Sequence, residues 1–194
     1  KPTDVVLRKI AVVIGRQRTP QKMKHLAVVC KHEKLPEIGW AGNSQWVVGD
    51  LKGINTILRP AVSALQEAGY NVELITSDRL NRMIPHDEMP GFYNGIDVYV
   101  CASSCEGTPN PVLEAMACGV PVVSTDVGLV PELFGDKQKH FILKERSVEC
   151  MVDTLKALLD SPELFEQLSR ENLSQIKPWD WKIMTDHMRE YFQC

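Results

Sequence analysis

From Pro36 onward, two kinds of apolar run alternate along the chain. Short continuous runs bounded by Gly, Pro or Asn read as buried strands, and longer runs with apolar residues three and four apart read as helices. PEIGWAG, residues 36–42, is a strand ending at Gly42, followed by the polar loop NSQWVVGDLKG. INTILRPAVSALQEAG then sets Ile57, Leu58, Ala61, Val62 and Leu65 on one helical face, with Gly69 as the stop. Pro60 has no N–H, so it falls in the first turns of this helix or kinks it. NVELIT is a strand, and the proline-punctuated NRMIPHDEMPGFYNG leads to another, IDVYVC. PVLEAMAC is a helix, PVVST a strand, VPELF a short helical turn and HFILK a last short strand. SVECMVDTLKALLD is an amphipathic helix with Ser147 as N-cap; Ser161 caps the next helix and Pro162 takes its first position. WDWKIMTDHMREYFQ is one more amphipathic helix.

Strands spaced by crossover helices predict an α/β fold with a doubly wound, Rossmann-like parallel sheet. In such sheets ligands bind beyond the carboxyl ends of the strands. Residues 1–35 fit less well: RKIAVVIG and HLAVVCK read as strands, separated by the basic, proline-containing RQRTPQKMK. They are expected to be extra strands or a linker from a preceding domain. The expected division is therefore 1–35, a ligand-binding domain at 36–178, and a C-terminal helix at 179–194.

At 194 residues, 44% hydrophobic and 24% charged, the chain is long enough for one sizeable core. A net charge of -3 gives no sign of a nucleic-acid surface, and no nucleic-acid partner is expected. No apolar run has the roughly 20 residues of a membrane span, and KPTDVVLRK is not a secretory signal. The first residue is not Met, which fits a fragment or a processed chain. Six cysteines form no CxxC pair and five histidines are scattered singly, so neither a disulfide framework nor a metal site is expected. The expected location is cytoplasmic, or peripheral to the membrane as part of a longer protein.

CEGTPNPVLEAMACGVPVVSTD, residues 105–126, carries the chemistry. Asn110 is a suitable N-cap, Pro111 a suitable first helical residue, and Gly119 with Pro121 ends the helix. That puts Glu106 in the loop entering the helix and Glu114 near its first turn, among Val112, Leu113, Ala115 and Met116. An ionised carboxylate in such surroundings is costly unless something binds it. Free N–H groups at a helix start bind phosphate oxygens, Gly107 lets a ligand approach the backbone, and carboxylates accept hydrogen bonds from hydroxyls. A ligand with phosphates between two sugars suits this arrangement.

Glu106, seven residues, then Glu114, within EGTPNPVLEAMACGVPVVSTDVGLVPEL, resembles the signature of retaining glycosyltransferases of the GT-B fold, family 4 and its relatives. FYNGIDVYVCASS resembles the family's acceptor-side strand and serine loop, and EIGWAGN with DLKGINTIL its first strand, loop and Lys-Gly. The resemblance covers about residues 36–178, the half that binds the nucleotide sugar. It implies that Glu106 contacts hydroxyls of the donor sugar and Glu114 the ribose hydroxyls of the nucleotide. It places Ser103 and the N–H groups of Gly107, Thr108, Asn110 and Val112 near the diphosphate or sugar, and makes Lys52 the phosphate clamp. Glu106 and Lys52 would be the catalytic pair. No metal or cofactor is implied. Asn43 stands where the family usually has an arginine, so the clamp has one cation fewer there. The acceptor, a glycan, lipid or small molecule, would bind a separate N-terminal domain that these 194 residues do not include.

Taken one at a time, several of these residues have plainer readings. Lys52 alone would be a solvated turn lysine, and Ser103 and Ser104 loop hydroxyls satisfying nearby backbone. His86 reads as a turn histidine, Asp78 and Arg79 as solvated, and Trp40 and Trp46 as packing residues. Trp179, Trp181, Met184, Met188, Tyr191 and Phe192 form a helical stripe, core-facing or, by the resemblance, turned toward the other domain. Two rival functions share the residues: a GT-B-type epimerase or phosphorylase, and a non-catalytic nucleotide-sugar-binding module.

Overall fold

Among the described residues, four short strands carry apolar runs, and all of them pair in parallel. The computed structural model describes residues 36–44 and 49–192. Strands β1 (Glu37–Gly42), β2 (Glu73–Asp78), β3 (Val98–Cys101) and β4 (Val122–Ser124) lie in the order β2-β1-β3-β4. β1 aligns with β2 from Glu37↔Glu73 to Gly42↔Asp78, and with β3 at Ile38↔Val98 and Gly39↔Tyr99. The chain steps from β1 to β2 on one side, then crosses to β3 on the other. The winding direction therefore reverses between β1 and β3, and a crevice opens beyond their carboxyl ends.

The two-residue period of a strand divides β3 between two layers. Tyr99 and Cys101 join a core with α2 (Met89–Gly95), α3 (Asn110–Ala117) and α4 (Val130–Leu133). Val98, Val100 and Ala102 join a second core with α1 (Arg59–Glu67), α5 (Val148–Leu159) and α6 (Pro162–Gln175). A last helix, α7, spans Trp181–Phe192. Pro60 lies in the first turn of α1 as expected, preceded by a wide π-helical turn at Ile54–Leu58. Ser147 caps α5, its side chain accepting the Cys150 N–H at 3.1 Å. Trp40 is buried. The doubly wound parallel sheet is the fold class the sequence predicts.

Several local expectations change. HFILK is not a strand: a 3-10 turn spans Gln138–Phe141, and only Ile142 bridges Ser124. The reason is a side chain. Gln138 lays its amide along the outer edge of β4, Oε1 accepting the Val122 N–H at 3.2 Å and Nε2 donating to the Val122 carbonyl at 2.5 Å. The Leu143 N–H satisfies the Ser124 carbonyl at 2.7 Å, so little of the edge is left to pair. The segment read only as proline-punctuated contains α2, with Pro90 in its first turn. NVELIT is displaced by two residues, the strand starting at Glu73. Asn110 is not the N-cap of α3; Pro109 is, and Asn110 is its first residue. Ser161 holds the N-cap position of α6, but its side chain makes no capping bond. The expected strands within residues 1–35, and Trp46, fall outside the described residues, as do the side chains of Trp181, Met188, Tyr191 and Phe192.

Candidate functional site

The loops after β1 and β3 are stitched together where the winding reverses. The Ser104 N–H donates to the Leu51 carbonyl at 2.8 Å. Arg146, from the segment before α5, forks between them: Nε reaches the Ala102 carbonyl and Nη2 the Asp50 carbonyl, each at 2.9 Å. Gly53 has φ +70° and lies so close to Ala102 that a Cβ would sit 2.2 Å from its carbonyl oxygen. Only glycine meets both conditions. The Asp50 carboxylate closes the start of the next helical segment, accepting the Asn55 and Thr56 N–H groups at 2.6 Å each. On the other flank, the Thr125 hydroxyl donates to the Ser103 carbonyl at 2.6 Å, and the Leu129 N–H to the Gly107 carbonyl at 3.1 Å.

This stitching joins Lys52 to Glu106. The Lys52 ammonium lies 2.5 Å from Glu106 Oε1, and the buried Ser103 hydroxyl donates to the same oxygen at 2.7 Å. Glu106 Oε2 has no partner among the described residues. The pair is part-exposed, so its attraction to itself is worth little beyond orientation. A cavity of about 60 Å³ opens beside it, lined by Lys52, Ser103, Glu106, Tyr99, Pro111 and Val112 among others. That space takes a group of a few atoms, not a whole nucleotide.

The start of α3 has a more selective set of donors than its sequence implies. The Asn110 N–H is used on the Thr108 carbonyl, and the Val112 N–H on the Pro109 carbonyl. Pro109 and Pro111 have none to offer. The N–H groups of Gly107 and Thr108 have no partner among the described residues, and a Cβ added at Gly107 would meet only open space. Nothing in the packing demands a glycine there, and Gly107 and Thr108 are both exposed. Asn110 Oδ1 is buried without a hydrogen-bond partner.

One turn further on, Glu114 is buried at 8% exposure, and its Oε2 accepts the Tyr93 hydroxyl at 2.7 Å. Tyr99 connects the two carboxylates. Its ring lines the small cavity, its hydroxyl donates to the Ala41 carbonyl at 3.3 Å, and its phenol is held well above its ordinary pKa by burial first, then by Cys101, Glu114 and Glu106.

Of the residues expected at the site, Lys52, Ser103, Glu106 and Val112 converge on the cavity, with Gly107, Thr108, Asn110 and Glu114 along the adjoining loop and helix. Asn43 directly follows the last residue of β1. Asp78, read as solvated, is buried and holds the loop after β1. Its carboxylate accepts the Ser44 hydroxyl at 2.6 Å, the Asn81 amide at 2.7 Å, and the Ser44 and Leu80 N–H groups at 3.2 Å. Burial alone would raise its pKa, but these bonds outweigh it and hold the group below the ordinary carboxylate value. Tyr93, Tyr99 and Arg146 are further residues that sequence reasoning missed. A lone tyrosine five positions before an apolar strand is a weak cue, and nothing near Arg146 in sequence marks it. Among the described residues no group of three or more His, Cys, Asp or Glu could hold a metal ion, and no helix is long and apolar enough to cross a membrane.

Known proteins share this framework. HepE of Anabaena, solved in complex with UDP-glucose, superposes with a TM-score of 0.64 over 95% of this chain and 55% of its own, at 12% identity. The C-terminal domain of a glycosyl transferase group 1 family protein (LpcC) from Francisella tularensis superposes at 0.56 and 20% identity, over 82% of this chain and 91% of its own. In sequence, the lipopolysaccharide core biosynthesis mannosyltransferase LpsB of Rhizobium meliloti is 34% identical over 101 residues, 51% of this chain and 29% of the relative. The chain thus spans less than a third of that relative's length. The family model described as Glycosyl transferases group 1 matches residues 65–175, more than half of the chain, from α1 through both carboxylates to the end of α6. The chain belongs to the glycosyl transferases group 1 family.

Proposed function

We propose that this chain is the donor-binding half of a hexosyltransferase-type enzyme, which moves a sugar from a nucleoside-diphosphate sugar to an acceptor with retention of configuration. The observation that carries the reading is the Lys52–Glu106 pair, held across the reversal between β1 and β3 beside a bare loop and a buried carboxylate. The diphosphate would lie against the Gly107 and Thr108 N–H groups and the start of α3. Lys52 carries three donors, so its ammonium can keep Glu106 while gripping a phosphate oxygen. Its charge would then offset the charge that builds on the departing diphosphate. Glu106, oriented by Lys52 and Ser103, would take a hydroxyl of the donor sugar on its open oxygen. Glu114 would take the ribose hydroxyls. The acceptor, and the groups that bind it, would come from a second domain facing this crevice, which α7 would help to contact.

A thermal-shift series with nucleoside diphosphates and their sugars tests the reading. A ligand at about 100 times its Kd stabilises by about 2.7 kcal/mol, which for a chain of this size raises Tm by roughly 5–10 °C. One base is expected to give that shift, in both its diphosphate and its nucleotide-sugar form, while inorganic phosphate gives much less. No shift with any of them contradicts the reading.

A further inference from the structure

Glu114 is not left to face the core alone. Its Oε2 accepts a 2.7 Å hydrogen bond from Tyr93, a residue on α2 that is fully buried. The phenol has no freedom to turn away. Its ring meets Phe92 edge-on at 5.1 Å and 70°, and Tyr99 at 5.8 Å and 66°. Burial and the neighbouring Glu114 charge raise the Tyr93 pKa well above its ordinary value, so the hydroxyl stays protonated and remains a donor. Tyr99, in turn, lines the cavity beside Lys52 and Glu106. One packed aromatic cluster therefore runs from the ion pair to the partner of Glu114.

A purely structural reason for this pair is weak. Two apolar side chains of the same shape would pack α2 on α3 without taking a charge out of water, and such replacements are often neutral or stabilising. The carboxylate is expensive here, and the tyrosine makes it tolerable without neutralising it. A carboxylate has two oxygens and several lone pairs, so the oxygen held by Tyr93 fixes the direction in which the group accepts further donors.

We propose that Tyr93 is the positioning residue for Glu114, and that its hydroxyl sets the preference of the site for a ribonucleotide over a deoxyribonucleotide. This rests on the reading of Glu114 as the ribose-binding carboxylate. A vicinal diol presents two O–H donors to a carboxylate whose orientation is already fixed. A 2′-deoxyribose presents one, and the fixed carboxylate cannot swing to compensate. Without the phenol, Glu114 loses the bond that fixes Oε2, and the difference between the sugars shrinks.

Calorimetric titration separates the outcomes. The probes are uridine and guanosine diphosphates and their 2′-deoxy counterparts, added to the wild-type chain, Tyr93→Phe and Glu114→Gln. The wild type is expected to prefer the ribose form of one base by about tenfold or more, the effect of one hydrogen bond to a charged group. Tyr93→Phe is expected to cut that ratio to within about twofold of unity by weakening the ribose form, while the deoxy form binds nearly as before. Glu114→Gln should remove the ratio too, and the double variant should lose no more than either single one. Tyr70→Phe is the control. It deletes another phenol bound to a carboxylate, Asp160 at 2.9 Å on an exposed surface, and should leave the ratio untouched.

If Tyr93→Phe lowers Tm but keeps the ribose preference while Glu114→Gln abolishes it, Tyr93 is merely structural. The proposal then falls and the donor-site reading stands. If the wild type binds neither form of either base, both fall together. Glu114→Asp is the second variant should Tyr93→Phe not fold. It keeps the charge but withdraws it from the phenol by one methylene, and an unchanged ribose preference there also overturns the proposal.

Discussion

Two polar clusters sit against this sheet, and they are built on opposite plans. On the outer edge of β4, Gln138 and Asn172 are both fully buried, and their amides bond to each other at 2.8 Å. Gln138 also holds both backbone groups of Val122, and Asn172 donates to the Val120 carbonyl at 2.9 Å. These groups are neutral and point inward to the backbone. Beyond β1 and β3, by contrast, Lys52 and Glu106 are charged, part-exposed and set beside a cavity, and Glu106 keeps one oxygen open toward it. A polar cluster that spends its hydrogen bonds on the backbone is architecture. One that keeps charge and open donors at the mouth of a crevice is arranged for a ligand.

The largest expected effect breaks the first cluster. Gln138→Leu leaves the Val122 N–H and carbonyl and part of the Asn172 amide unpaired in the core. At about 1–3 kcal/mol for each orphaned group, the loss is expected to reach roughly 3 kcal/mol or more. Chemical denaturation should show it, while nucleoside-diphosphate affinity below the melting range stays within about twofold of wild type.

Lys52→Met does the reverse. Affinity for a nucleoside diphosphate should fall by about one to two orders of magnitude, as expected for losing a charged hydrogen bond to phosphate. Tm should change little, because the ion pair is part-exposed. Equal losses of stability and affinity in the two variants would erase the contrast between the clusters.

Asp78 belongs between the two plans: buried and fully bonded like Gln138, yet charged and holding the loop after β1. Asp78→Asn is expected to cost about 1–2 kcal/mol at neutral pH. Because the folded-state pKa is depressed, the wild-type advantage is present above the unfolded value of about 3.9 and is lost as pH falls through the folded one. The stability difference between wild type and variant should therefore be flat from pH 7 to about 5 and shrink below about 4. A difference that grows on acidification would contradict that assignment. The smallest effect is a gain. Asn43→Arg restores a cation beyond β1 and should tighten diphosphate binding a few-fold, more at low salt than at high. Unchanged binding would mean that this loop lies away from the phosphates.

Much of this division could be read from the sequence, and the reasons differ by residue. The strands and helices follow from apolar periodicity, which the sheet and its two cores enforce. Lys52, Glu106 and Glu114 stood out because their neighbours made them odd: a carboxylate inside VLEAMA, and a Lys-Gly ahead of a helix. HFILK misled because its β propensity is real, but the edge of β4 it would pair with is occupied by the side chain of Gln138, two residues before His140, a contact that local pattern does not record. Asn110 has the chemistry of a cap, yet the helix begins one residue earlier because the Pro109 carbonyl already accepts the Val112 N–H at 2.8 Å. Asp78, Tyr93 and Arg146 were invisible for a shared reason: each acts on a partner 21 to 96 residues away, through contacts that only the folded chain creates.

The most direct test of the donor-site reading is calorimetric titration of uridine and guanosine diphosphates into the wild-type chain, Glu114→Gln, and a Lys144→Gln control on an exposed surface. The wild type and the control are expected to bind one of the two diphosphates with the same Kd, and Glu114→Gln at least about tenfold more weakly, with its Tm near that of the wild type. Equal affinity for Glu114→Gln and wild type would contradict the reading, leaving the buried carboxylate a matter of packing between α2 and α3.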